Sequence, residues 1–281
     1  MNRWLRGLLV VMTTVFLVAC GNGNEEAVSE EGGASQEPLL IGMEAAYPPY
    51  NWTQDTEENN AIPIQGSEQF ANGYDVQIAN RVGETLGREV VAVKTDWNGI
   101  VPALQSSKVD LIIAGMTPTP ERSEVVHFSD PYYDVQFAMI TRADSEYADA
   151  ATLEDFEGAR VTGQVGTLNY DLLDQIPGAE IHQAMDDFSA MRVALEAGRI
   201  DAYITEYPEA VSATNAIDAL TYVVPEPSFE VPEGVAAYLA IGGRPDDTEL
   251  IEQVNEVLSG ISDEERQTLM DEAIANQPSE Q

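Results

Sequence analysis

The sequence has one cysteine, Cys20, in 281 residues, so no intrachain disulfide can staple the fold and a packed apolar core must hold it. Basic residues are scarce: 13 Lys and Arg stand against 49 Asp and Glu, a formal net charge of −36. Nucleic acid is excluded as a partner on this ground, because neutralising phosphates requires clustered Lys and Arg. His127 and His182 are the two histidines, isolated from each other and from any Cys or His at metal-ligand spacing, and no Gly-x-Ser-x-Gly elbow occurs. No metal, no cofactor and no catalytic set is therefore expected, and the chain is read as a non-enzyme. Long hydrophobic runs are missing except at the start, where Leu8 to Val18 is too short to span a bilayer as a mature helix.

That run follows Arg3 and Arg6, the order of a secretory signal. It ends in Leu17-Val-Ala-Cys20 followed by Gly21, which resembles the lipobox at which bacterial lipoproteins are cleaved and acylated. Residues 1–19 are expected to leave as a signal peptide. Cys20 is expected to carry the lipid, and residues 20–37, rich in Gly, Ser, Glu and Asn without apolar periodicity, to form a flexible tether. The protein would then sit lipid-anchored on the outer face of the cell membrane, extracellular or periplasmic. About 260 residues remain, ample for one or two ordinary domains. So acidic a surface suits a salt-rich or alkaline medium, where screening weakens self-repulsion.

Beyond the tether, strand-like runs alternate with helical patterns. The spacing predicts strands over Leu39 to Met43, Val90 to Lys94 and Leu111 to Gly115, with helices over Asp75 to Leu86 and Gly99 to Gln105. A second half repeats the rhythm: strands over Arg160 to Gln164, Glu180 to Gln183 and Ala202 to Thr205, a helix from Thr167 and another over Phe188 to Ala197. Such alternation predicts an α/β fold with largely parallel sheets. The halves also echo each other in sequence, since Ala103-Leu-Gln-Ser-Ser-Lys-Val-Asp-Leu-Ile-Ile113 recurs as Ala194-Leu-Glu-Ala-Gly-Arg-Ile-Asp-Ala-Tyr-Ile204. Two similar lobes, rather than a solenoid of short repeats, follow from the offset of 194 − 103 = 91 residues between the copies.

Ligands of such sheets lie beyond the carboxyl ends of the strands, which directs attention to Gly115 to Thr117 and to Thr205 and Glu206. Arg122 follows the first of these in a turn-rich stretch, and its planar fork matches a carboxylate. Thr117 adds a hydroxyl and an N–H, and the helix starting at Thr167 adds free N–H groups. Glu206 supplies the charge that suits an ammonium group. Tyr47, Trp52 and Trp97 stand in polar, turn-like contexts, where rings are available to wall a pocket.

Seven segments together resemble the solute-binding proteins of polar amino-acid ABC importers, the group containing glutamine-, histidine- and lysine/arginine/ornithine-binding proteins. They are Ile41-Gly-Met-Glu-Ala-Ala-Tyr-Pro-Pro-Tyr50, Gly73-Tyr-Asp-Val-Gln-Ile-Ala79, Thr95-Asp-Trp-Asn-Gly-Ile-Val-Pro-Ala-Leu-Gln105, Asp110 to Arg122, Phe128-Ser-Asp-Pro-Tyr-Tyr133, Gly163-Gln-Val-Gly-Thr167 and Asp201-Ala-Tyr-Ile-Thr-Glu-Tyr-Pro208. The resemblance implies a two-lobed periplasmic-binding-protein fold of type II with a two-strand hinge. Lobe 1 would comprise residues 38–132 and 235–281, and lobe 2 residues 137–230. It gives Arg122 and the Thr117 and Leu168 amides to an α-carboxylate. The Gly115 carbonyl, Thr117 hydroxyl and Glu206 go to the α-ammonium, and Tyr47 and Trp97 to the walls around the side chain. Glu44 falls where the family often places an acid facing a distal amine or amide. Glu206 and Glu44 are longer than the aspartates common there, Leu168 replaces a frequent hydroxyl residue, His127 stands where an acid is usual, and Asp55 to Asn72 looks like an insertion.

The partners so implied are a free amino acid and the permease subunits of an ABC importer, with the binding protein itself monomeric. Nothing basic remains at the far end of the pocket, so a cationic amino acid is expected to bind best, with glutamine or another polar neutral one as the alternative. A same-fold enzyme, such as a cyclohexadienyl dehydratase, is the rival class. A sensor domain would need an apolar segment after the last helical pattern around Glu264 to Ala275, and the sequence has none there.

Overall fold

The computed structural model describes residues 37–278; the signal sequence, Cys20 and all but the last residue of the tether lie outside them. Two five-stranded sheets organise the chain. In space the first runs Val90–Lys94, Leu39–Met43, Leu111–Ile112, Tyr238–Gly243, His127–Asp134, and the second runs Glu180–Ile181, Arg160–Thr162, Ala202–Glu206, Phe137–Arg142, Leu220–Val223. Each sheet begins with three parallel strands in the order second, first, third, and then adds two strands through antiparallel pairings. The sheets are thus mixed rather than wholly parallel. The fourth place in each is taken by a strand that has just crossed from the other half, and such strands run opposite to those joined by helical crossovers.

The crossings define the hinge. The chain leaves the first sheet at Asp134 and enters the second at Phe137, then returns to the first at Tyr238. Between them the Val135 N–H donates to the Ala237 carbonyl at 3.0 Å, so the two crossing segments are paired. This is the two-lobed α/β arrangement with two connecting strands. Strands such as Leu39–Met43 are apolar because helices cover both sheet faces; Leu39, Ile41 and Met43 are fully buried.

The echoed segments adopt one local geometry. Helices Trp97–Gln105 and Phe188–Glu196 each span nine residues. Both end with a left-handed residue, Ser107 at φ 56° and Gly198 at φ 64°. Lys108 N–H reaches the Ala103 carbonyl and Arg199 N–H the Ala194 carbonyl, both at 2.9 Å, closing a Schellman turn in each lobe. The aspartate that follows is also shared: Asp110 accepts from the Leu40 N–H at 3.1 Å, and Asp201 from the Arg160 N–H at 2.9 Å. Each acid pins the third strand to the first, and each is paired with an arginine, Arg88 or Arg160.

Residues 55–72 carry parts of a small four-stranded sheet formed by Ala46–Tyr47, Asn51–Gln54, Phe70–Asn72 and Ile62–Pro63. Side-chain amides of Asn72, Gln77 and Asn80 donate to the carbonyls of Glu58, Asn59 and Asn60, tying this segment to helix Tyr74–Leu86. The chain closes with helices Thr248–Ser259 and Asp263–Asn276. Among the described residues no helix is long and apolar enough to cross a membrane.

Candidate functional site

Every strand end expected to carry function opens onto one cleft between the sheets. From the first half, the end of Leu39–Met43 delivers Glu44, the strand Ala46–Tyr47 delivers Tyr47, and the end of Leu111–Ile112 delivers Gly115 and Thr117. Trp97 opens its helix, and Arg122 rides on the short helix Pro120–Ser123, whose N-cap Thr119 accepts from the Arg122 N–H. From the second half, Thr167 caps the helix beginning at Leu168, and Glu206 ends its strand. All nine line a single cavity, together with Gln164, Asn169 and Phe188.

The polar groups meet across the cleft. Arg122 Nη1 donates to the Thr117 carbonyl at 2.7 Å and Nη2 to the Gly166 carbonyl at 2.9 Å, while its guanidinium lies 5.1 Å from the Trp97 ring centre. Burial lowers the guanidinium's pKa from its ordinary value. Trp97 Nε1 also donates to the Gly166 carbonyl, at 3.3 Å. Glu206 is buried and accepts from the Tyr47 hydroxyl and, at 3.0 Å, from Asn169 Nδ2. Glu44 accepts from Gln164 Nε2 at 2.9 Å. Burial raises the pKa of Glu206 and pushes that of Glu44 up to about 7. With these contacts made, the free space among the walls is about 20 Å³, room for roughly one water. A larger occupant must part them.

Tyr47 and Trp97 have different partners. The Tyr47 ring stacks on Phe188, centroids 4.3 Å apart and planes 11° from parallel, while Trp97 covers Arg122. Trp52, the third ring noted in the sequence, packs in the small sheet and does not line the cavity. Nor do His127 and His182, the latter 3.4 Å from Glu180.

A buried network fixes the first wall. Asp75 accepts from Asn51 Nδ2 and from the Tyr132 hydroxyl, both at 2.8 Å. The same hydroxyl accepts from the Gly115 N–H at 3.0 Å, and Asn51 Oδ1 accepts from the Ala45 N–H at 2.8 Å. One carboxylate thereby orders both the turn between Glu44 and Tyr47 and the backbone at Gly115. Gly115 is held at φ 61°, and a Cβ there would stand 2.9 Å from the Tyr47 ring, so only glycine fits against that wall.

Three cavity residues escaped the sequence reading. Phe188 was legible, because it opens the second of the two echoed helices as Trp97 opens the first. Gln164 ends a predicted strand, so its place had a signal and its role did not. Asn169 had none, since a polar residue in a short helix N-terminus is commonplace. Among the described residues, no cluster of three or more His, Cys, Asp or Glu is arranged to hold a metal.

The profile of bacterial extracellular solute-binding proteins, family 3, matches residues 39–274. An arginine-binding extracellular protein of Bacillus subtilis is 29% identical over 266 residues, 94% of each chain. A probable histidine-binding protein of Campylobacter jejuni is 29% identical over 222 residues, 75% of this chain and 80% of that one. Among solved structures, the arginine-bound form of a truncated ArgBP from T. maritima is 30% identical with a TM-score of 0.65, covering 80% of this chain and 96% of its own. A Streptococcus pneumoniae amino acid ABC transporter substrate-binding protein bound to L-arginine shares the fold, with a TM-score of 0.73 at 24% identity, over 85% of this chain and 94% of that one.

Proposed function

The chain belongs to the bacterial extracellular solute-binding proteins of family 3, and from that premise we propose that it captures a free cationic amino acid for an ABC importer. The observation that carries this reading is the placing of Arg122 and Glu206 on opposite lobes, lining one cavity with opposite charge. Arg122 with the Thr117 and Leu168 amides takes the α-carboxylate. Glu206, the Thr117 hydroxyl and the Gly115 carbonyl take the α-ammonium. Tyr47 and Trp97 wall the side chain, and Glu44 meets its distal cation. The relatives named for arginine and histidine support this choice of ligand.

Capture proceeds by closure. The lobes, residues 38–132 with 235–281 and residues 137–230, part about the paired crossing segments, admit the ligand, and close so that both halves touch it. The Tyr47–Glu206 and Arg122–Gly166 contacts engage the same groups, so binding exchanges internal partners for the ligand's. The protein works as a monomer, held to the membrane through lipid on Cys20 and delivering to permease subunits. It performs no chemistry on its ligand.

Replacing Arg122 by Ala should abolish amino-acid binding in a protein that melts normally, since losing one partner of a desolvated charge pair costs about 2 to 5 kcal/mol. Calorimetry showing undiminished affinity in that variant removes the carboxylate assignment. Cys20→Ser should release the protein from the membrane fraction, because a tether without acyl chains has no apolar anchor; continued membrane association would rule the lipid anchor out.

A further inference from the structure

The cleft carries a repeat that the reading above uses on one side only. Asp96 and Trp97 stand at the start of one echoed helix, and Asp187 and Phe188 at the start of the other. Each aspartate is the N-cap and each ring the first helical residue, and both rings line the one cavity with an acid directly behind them in the chain. Phe188 is 3% exposed, stacks on Tyr47 and meets Tyr203 edge-on. Asp187 caps its helix, Oδ1 accepting from the Ala190 N–H at 2.7 Å. Gln164 Nε2 joins the step to the distal acid, donating at once to Glu44 at 2.9 Å and to the Asp186 carbonyl at 3.0 Å. Asp187 is close enough to Glu44 to help raise its pKa.

We propose that Asp187 and Phe188 form the second half of the side-chain subsite and set its specificity for a flat cation. The inference rests on the amino-acid-binding reading. Tyr47 and Phe188 are near-parallel plates, so a planar group enters between them once they separate by about one ring thickness, roughly 3.5 Å. A guanidinium fills that slot with both faces covered, and gains cation–π attraction besides. A flexible ammonium chain covers less of either plate. Asp187 acts through its field: without touching the ligand it favours a positive group beside Glu44 over a neutral one of the same shape.

Three ligands separate shape from charge: L-arginine is flat and cationic, L-citrulline flat and neutral, L-lysine cationic and not flat. Titrated against the full chain by calorimetry, with displacement of arginine for weak binders, Phe188→Leu should weaken arginine and citrulline alike by about threefold to tenfold and lysine less. Asp187→Asn keeps the helix cap, since Asn caps as well as Asp. It should weaken arginine and lysine by about threefold to tenfold and leave citrulline unchanged. Equal effects of Phe188→Leu on all three ligands, or none, overturn the shape role. A loss of citrulline matching that of arginine in Asp187→Asn, or no loss at all, overturns the charge role. Melting temperatures near the parent's confirm that both variants are folded. If the parent protein binds none of the three, the choice of a cationic amino acid as ligand fails instead.

Discussion

Asp75 in the first lobe and Glu209 in the second are both fully buried, and the two lobes hold them by different means. Asp75 has neutral partners, Asn51 and Tyr132. Glu209 has a cation: Arg192 Nη2 lies 2.7 Å away and is itself 4% exposed, with the Tyr203 hydroxyl at 3.3 Å. Burial raises both pKa values, that of Asp75 to about 6. Each acid stands behind a wall of the cleft. Asp75 orders the backbone at Gly115, whereas the Arg192–Glu209 pair clamps the helix bearing Phe188 to the helix that follows Glu206. Similar halves have thus reached the same end, a rigid wall, through a hydrogen-bonded network on one side and an ion pair on the other.

The difference is sharpest where one partner is removed. Arg192→Met should cost about 3 to 5 kcal/mol by stranding the Glu209 carboxylate, and Glu209→Leu added to it should recover most of that, as apolar groups can replace a buried pair. Denaturant melts of the single and double variants test this, and a double variant no more stable than the single one would mean that the pair does more than satisfy itself.

Acidity is the next lever, and it acts in both lobes, since Glu206 in the second is likewise a raised acid with neutral partners. Glu44 and Asp75 are raised acids without cationic partners, to about 7 and about 6. The folded state holds their protons more tightly than the unfolded one, so their contribution is full below the ordinary carboxylate range and is lost as pH rises through the folded values. Unliganded protein should lose about 2 to 3 kcal/mol per group between pH 4 and pH 7.5, apart from changes at other groups. Glu44→Gln should remove one such share. An identical pH profile for that variant would contradict the assignment.

Asp75→Ala should cost about 1 to 3 kcal/mol, because Tyr132 and Asn51 lose their acceptor. It should also weaken ligand binding by loosening Gly115, which a variant on the lobe's outer surface would not do. The smallest contrast is at the matching helix turns. Ser107 strains where Gly198 does not, so Ser107→Gly should stabilise and Gly198→Ser destabilise, each by about 1 kcal/mol. Thermal melts in which both changes have the same sign would break the equivalence of the two turns.

Sequence alone made much of this legible, for physical reasons. Alternating patterns located both sheets, and the recurrence of residues 103–113 at 194–204 exposed the duplicated turn, because the same hydrogen bonds demand the same small and acidic residues. Arg122 stood out in a chain poor in cations. Asp75 and Glu209 did not: nothing local distinguishes a buried acid from 47 others, since burial is decided by what packs over it. The mixed strand order was equally hidden, because it depends on which segments cross between lobes.

The measurement that bears most directly on the central claim is a calorimetric titration of the unmodified chain with arginine, lysine, glutamine and glutamate. Arginine and lysine should bind most tightly, glutamine more weakly, and glutamate not at all, because its second carboxylate would meet Glu44 where no cation stands. Glutamate binding above the cationic amino acids would contradict the account.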